Sequence, residues 1–155
     1  MGAMHASSAV AVPRVKGSRA VVLSRWGAAS YVIWSILHLS AAYAVYKLAV
    51  GVPVSMVQGR LLQDAFNLLA FSVAGAGTAI VLNWRNDIRG YWINAAIISV
   101  ADLGFVFFVL IPGHMPIWPG VVGPVFWLVG LILTTLGITA RDSVAIQSSP
   151  VASVR

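Results

Sequence analysis

The sequence predicts an all-α fold: an integral membrane four-helix bundle running up-down-up-down with both termini cytoplasmic. Three observations carry that expectation. Of 155 residues, 59% are hydrophobic and 9% charged, where an ordinary soluble domain has about a quarter charged. The apolar residues gather into four runs, each long enough at about 1.5 Å per residue to cross a hydrocarbon core about 30 Å thick. The cations are also unevenly shared. Arg14, Lys16, Arg19, Arg25, Arg85, Arg89, Arg141 and Arg155 fall in the N-terminal segment, the second connection and the C-terminal segment, against Lys47 and Arg60 elsewhere. That bias assigns the first set to the cytoplasm.

The elements follow in order. Residues 1–24 read as a flexible basic N-terminal tail, and the first apolar run is too long for a signal-peptide core, so it is expected to remain as a span. The bundle occupies 25–140, with spans at about 26–50, 61–82, 91–111 and 121–139. Residues 141–155, polar and rich in small side chains, read as a second flexible tail. Trp26, Trp84, Tyr91, Trp92 and Trp118 fall near span ends, where amphipathic rings prefer the interface. Short connections make consecutive helices neighbours. The third, "IPGHMPIWPG", holds three prolines and two glycines and is expected to cap the outer end. Abundant Ala, Val and Gly point to a bacterial cell (inner) membrane.

Polar groups inside the runs carry the chemistry. In span two, Arg60, Asp64, Asn67, Phe71 and Thr78 fall in one helical sector, and Leu62, Phe66, Leu69, Val73 and Ile80 take the other side. A lipid-facing Asp costs about 2.5–3.5 kcal/mol near the bilayer centre, so the polar sector is expected to look inward. Arg60 and Asp64, four residues apart, can pair. In span three, Asp102 has no cation of its own helix within reach and needs a partner or a hydrated cavity. In span one, Tyr31, Trp34, Ser35, His38 and Ala42 share a face. The expected constellation is therefore His38, Asp64 and Asp102 as acid–base groups. Asn67, Tyr31, Trp34, Phe71, Trp118, Arg60 and His114 are expected to shape the substrate site, polar at a few points and aromatic elsewhere. In span four, Gly123, Trp127, Gly130, Thr134 and Gly137 form a stripe of close approach, used either against span one or three or as a homodimer seam.

Exclusions narrow the field. Without cysteine there is no disulfide, thiolate nucleophile or Cys-ligated metal. No glycine-rich phosphate loop, nucleophile elbow or His-Glu-x-x-His occurs. Neither a cofactor nor a metal is expected; a metal held by His38, Asp64, Asp102 and His114 is a minor alternative. The net charge of +6 sits in tails and loops, which suits anionic headgroups and not nucleic acid. In span count and in an inward His38 with Asp64 and Asp102, the chain resembles the sterol-isomerase-like four-span family, whose bundles hold lipophilic ligands. The sequence has no Glu, which separates it from that family and from small multidrug transporters, and no residue role carries over. The leading expectation is a membrane enzyme acting on a lipophilic small molecule by isomerisation, cyclisation or epoxide opening. The alternatives are a small proton-coupled transporter and a non-catalytic assembly partner.

Overall fold

A computed structural model describes residues 15–147, with side chains placed for 19–143. Among these residues all regular structure is helical. α1 spans Val15–Val50, α2 Met56–Val81, α3 Ile88–Phe105, α4 Ile117–Gly120 and α5 Val122–Gln147. A 3-10 turn, Asn83–Arg85, links α2 to α3, and α3 continues into a π-helical turn, Val106–Leu110. Four of these helices, α1, α2, α3 with its π turn, and α5, are long and apolar enough to cross a membrane. The chain is a multi-pass membrane protein.

α1 starts earlier than the sequence suggested. Residues 15–24, expected as tail, continue the helix because Gly137 of α5 lets the backbone of Ala20 and Ser24 approach: a Cβ at Gly137 would stand 3.1 Å from both Ala20 O and Ser24 N. Residues 141–147, also expected as tail, extend α5. The tail expectations for 1–14 and 148–155 lie outside the described residues.

α1 is the central helix, packed against α5 on one side and α2 on the other. Small residues make this possible. A Cβ at Gly130 would stand 2.7 Å from the Tyr31 ring, and one at Gly27 would meet Thr134 Cγ2 at 2.6 Å. Gly123, Gly130, Thr134 and Gly137 thus meet α1, and Trp127 donates to Ser99 Oγ of α3 at 2.9 Å. The stripe's close approach is used within the chain, against α1 and α3. α2 buries Ala65, Ser72, Gly75 and Ala79. Small side chains set the distance between helices here, because lipid offers apolar groups no gain from merely leaving it. Leu62, Phe66, Leu69, Val73 and Ile80 are exposed on the outside as expected. Ala28, Tyr31, Trp34, Ala79 and Ile98 form the core.

The end holding the 3-10 turn is locked by hydrogen bonds. Ser24 Oγ donates to Asn83 O across the α1 interface. Asn94 Nδ2 reaches Asn83 Oδ1 at 3.1 Å and Gly75 O at 3.3 Å. Asn86 sits in the left-handed region at φ 56°, a conformation Asn tolerates better than most residues. From there its Nδ2 donates to Gly137 O at 3.0 Å, and Arg141 donates to Asn86 O at 2.8 Å. Asp87 caps α3 by accepting from Arg89 N at 2.9 Å and pairs with the Arg89 guanidinium at 2.9 Å. The Arg89 side chain, and then its backbone N–H, hold the Asp87 carboxyl at about 2, below the ordinary 3.8.

Candidate functional site

At the opposite end the helices part around a cleft of about 940 Å³. Its wall takes residues from α1, α2, α3, the π turn, the connection after it, and both α4 and α5. The volume lies in the range of pockets that enclose a small organic ligand. The lining is apolar, including Phe71, Phe105 and Phe108, and is interrupted at a few points by His38, Ser40, Asp64, Asn67 and His114.

α1 sets the centre of the site. Its face of Tyr31, Trp34, Ser35, His38 and Ala42 is buried throughout. His38 stacks on Trp34 one turn earlier, with ring centroids 3.8 Å apart, and its Nδ1 lies 2.9 Å from Trp34 O. A carbonyl can only accept, so this bond places the imidazole proton on Nδ1 and leaves the lone pair on Nε2. Nε2 faces Asp102 Oδ1 at 3.7 Å. The other carboxyl oxygen of Asp102 accepts from Trp34 Nε1 at 2.5 Å. Trp34 therefore orients the imidazole through its backbone and the carboxyl through its indole. Asp102 is fully buried, and its Oδ1 has no hydrogen-bond partner. Such an atom is costly in a dry interior. It sits where a small shift, or one water, would join it to His38. A Cβ at Gly123 would stand 3.2 Å from His38 Cε1 and 3.8 Å from Asp102 Oδ1, so this glycine makes room for the pair.

α2 forms the facing wall. Asp64 and Asn67 are one turn apart and both open into the cleft, with Phe71 a further turn along. The polar sector of span two therefore faces a cavity on the flank of the packed face, and the packed face itself consists of small residues. The Arg60–Asp64 pair does not form. Arg60 Nη1 donates to Gln63 Oε1 at 2.8 Å on the exposed side and does not line the cleft, because Asp64 turns toward the cavity.

Other expected wall residues also move. Tyr31 and Trp34 are core residues and do not line the cleft; Tyr31 fills the space against Gly130, and Trp34 serves Asp102. Trp118 is 74% exposed and turned away. It breaks helical geometry inside α4 with φ −101° and ψ 125°, which carries its ring outward while Met115, Pro119 and Gly120 close the wall. His114 does line the cleft. Asp102 reaches it only through His38, so it is not a direct contact group. Among the described residues, His38, Asp64, Asp102 and His114 are not gathered into a set that could hold a metal ion.

Sequence reasoning missed Ser40, Gly104, Phe105, Phe108 and Met115. Gly104 and Phe105 end α3, and Phe108 and Met115 depend on the π turn and the connection after it. π-helical turns recur at functional sites because the extra residue redirects side chains, but "VFFVL" carries no signal of one. Ser40 was not findable from spacing, since it lies about 180° around α1 from the Tyr31–His38 face. A smaller groove of about 360 Å³ lies elsewhere between α1 and α2, lined by Tyr43, Tyr46 and Phe66 among aliphatic side chains, with no acid or base on its wall.

The fold and site thus define a class: a multi-pass helical membrane protein with an aromatic cleft and a buried His–Asp pair at its edge. Comparison of the chain with protein-family models, with curated proteins and with solved structures gave no match.

Proposed function

We propose that the protein is an integral membrane enzyme that acts on a lipophilic small molecule by acid–base chemistry. Its bundle runs up-down-up-down with both termini cytoplasmic, as the distribution of Lys and Arg supports, and its wealth of Ala, Val and Gly suits the inner membrane of a bacterium. The observation that carries this reading is the cleft itself. Its apolar wall bears His38 on one side and Asp64 on the other, with Asp102 directly behind His38.

The chemistry follows from the geometry. With the Nδ1 proton committed to Trp34 O, Nε2 is the nitrogen left to exchange a proton with Asp102 or with a bound molecule. Asp102 stores or supplies that proton from behind, as a positioning and relay residue. Asp64 is the second proton-transfer group, on the facing helix. Removing a proton from one carbon at one wall and returning a proton to another carbon at the other shifts a double bond. The electron count is unchanged and no redox partner is needed. Cyclisation started by protonation uses the same two groups. Asn67, beside Asp64, can both donate to and accept from a ligand oxygen.

A survey of whole lipid tests this without a chosen substrate. The purified protein, reconstituted in nanodiscs made from a total bacterial lipid extract, is incubated in D2O, and the lipids are surveyed by mass spectrometry. The expected result is one species gaining carbon-bound deuterium with the wild type and not with His38→Ala or Asp64→Asn. Deuteration unchanged by both substitutions, or none at all, would sink the enzyme reading.

The partnerless Asp102 Oδ1 also favours a second reading, a proton-coupled carrier in which the Asp102–His38 pair binds a proton reversibly. That reading predicts proteoliposome flux driven by a pH gradient and lost in Asp102→Asn, without any deuteration of lipid carbon.

A further inference from the structure

The cleft has a charge character that its acid–base role does not require. Asp64 is the one residue on its wall with a full formal charge at neutral pH; no Lys or Arg lines it. This stands out in a chain of net charge +6. Every other acid among the described residues is engaged. Asp87 is bound by Arg89, Asp142 by Arg141, and Asp102 by Trp34 through one of its two oxygens. Asp64 alone has neither a hydrogen bond nor an ion pair among the described residues, since Arg60, the cation within reach of it on its own helix, is turned to Gln63. The rest of the lining is apolar and includes Phe71, further along α2, and Phe105 and Phe108, a surface suited to a hydrocarbon body.

From this we infer that the cleft takes a lipophilic molecule with a cationic, ammonium-type head, the head lying against Asp64 and the hydrocarbon body among the phenylalanines. The inference rests on the cleft being the binding site and adds the class of ligand. Asp64 faces an otherwise apolar cleft with no cation on its wall, and a ligand cation complements its carboxylate where a neutral hydroxyl offers only a hydrogen bond. A fatty anion would meet Asp64 with no cation on the wall to offset the repulsion. The site therefore selects by sign as well as by hydrophobicity.

Three probes of equal chain length test this: dodecyltrimethylammonium, dodecanol and dodecanoate. Each is titrated calorimetrically into the full chain in phosphatidylcholine nanodiscs, with empty nanodiscs subtracted. The expected order is the ammonium probe at least about tenfold tighter than dodecanol, with dodecanoate weakest. Asp64→Asn, nearly isosteric and without partners to lose, should erase the difference between the first two, and Asp64→Glu should keep it. Gly104→Leu should weaken all three, because a side chain there meets nothing within 4 Å and grows into the cleft. Equal affinity of the ammonium probe and dodecanol in the wild type would overturn the charge inference while leaving the cleft as a binding site. Binding of all three probes that Gly104→Leu leaves unchanged would overturn both.

Discussion

The two ends of the bundle use the same kinds of polar residue for opposite purposes. At the 3-10 end, Ser24, Asn83, Asn86 and Asn94 are buried and tied to backbone or to each other, and glycines hold the helices tight. At the cleft end, Asp64 and Asn67 face open space; a buried oxygen without a partner occurs at both ends, on Asn86 and Asn94 as on Asp102, and does not divide them. The first pattern is how a membrane bundle is fastened, since a polar side chain bonded to a neighbouring helix replaces the hydrophobic drive that lipid removes. The second pattern opens polar groups to a cavity, and such sites concentrate where a molecule binds or reacts. Polar residues within spans therefore divide into fasteners and instruments, and the structure separates them by what lies opposite each one.

The comparison breaks most visibly at the glycines. Gly130→Leu should abolish accumulation of monodisperse protein, because its side chain would drive into the Tyr31 ring at the α1–α5 contact and overpacking of this severity is not relieved by rotamer changes. Gly104→Leu should leave the melting temperature nearly unchanged and affect binding only. Size-exclusion chromatography and thermal unfolding in detergent check both. Equal damage from the two would erase the distinction between packed end and open end.

Asn86→Ala comes next. It removes the donor to Gly137 O and places a less tolerant residue in the left-handed region, which together should cost about 1–3 kcal/mol. Ligand-probe binding at the far end should stay within error of wild type. A smaller effect is expected for Asp102→Asn, which keeps an acceptor for Trp34 Nε1 but cannot store a proton. The fold and the Trp34 environment, followed by near-ultraviolet circular dichroism, should persist while deuterium incorporation is lost. Collapse of the Trp34 signal would instead make Asp102 a fastener.

The smallest effect belongs to Asp87→Ala. The folded-state pKa of about 2 lies below the ordinary 3.8, so the carboxylate favours the folded form above the ordinary value. That contribution fades as pH falls through 3.8 toward 2. The gap in melting temperature between wild type and Asp87→Ala should be small at pH 7 and narrow progressively below pH 4. Because this pair is exposed at the surface, salt should also shrink the gap.

Much of this was legible in the sequence, and the rest failed for identifiable reasons. The α1 face of Tyr31, Trp34, His38 and Ala42 could be read from helical spacing alone, as could the shared sector of Asp64, Asn67 and Phe71. Spacing gives a direction around one helix, however, and not what stands opposite. It could not tell that Tyr31 meets Gly130, that Trp34 serves Asp102, or that Asp64 opens to a cavity. Arg60 was assigned to Asp64 by an i, i+4 rule that ignores a competing amide three residues on. Trp118 and the wall around Phe108 depend on a π turn and a proline-rich connection whose path is set by tertiary packing. The Asn83–Asn86–Asn94 cluster was illegible because it forms only once Asn86 adopts its left-handed turn and brings three segments together.

The central claim is that the cleft between Asp64 and the His38–Asp102 pair is where a lipophilic molecule resides. Photolabelling tests it most directly, using an alkyl diazirine probe in phosphatidylcholine nanodiscs with modified residues mapped by peptide mass spectrometry. The account predicts labels concentrated on peptides carrying Phe71, Phe105 and Phe108 and strongly reduced by Gly104→Leu. Labels spread evenly over outward residues such as Phe66 and Leu69, and indifferent to Gly104→Leu, would contradict it.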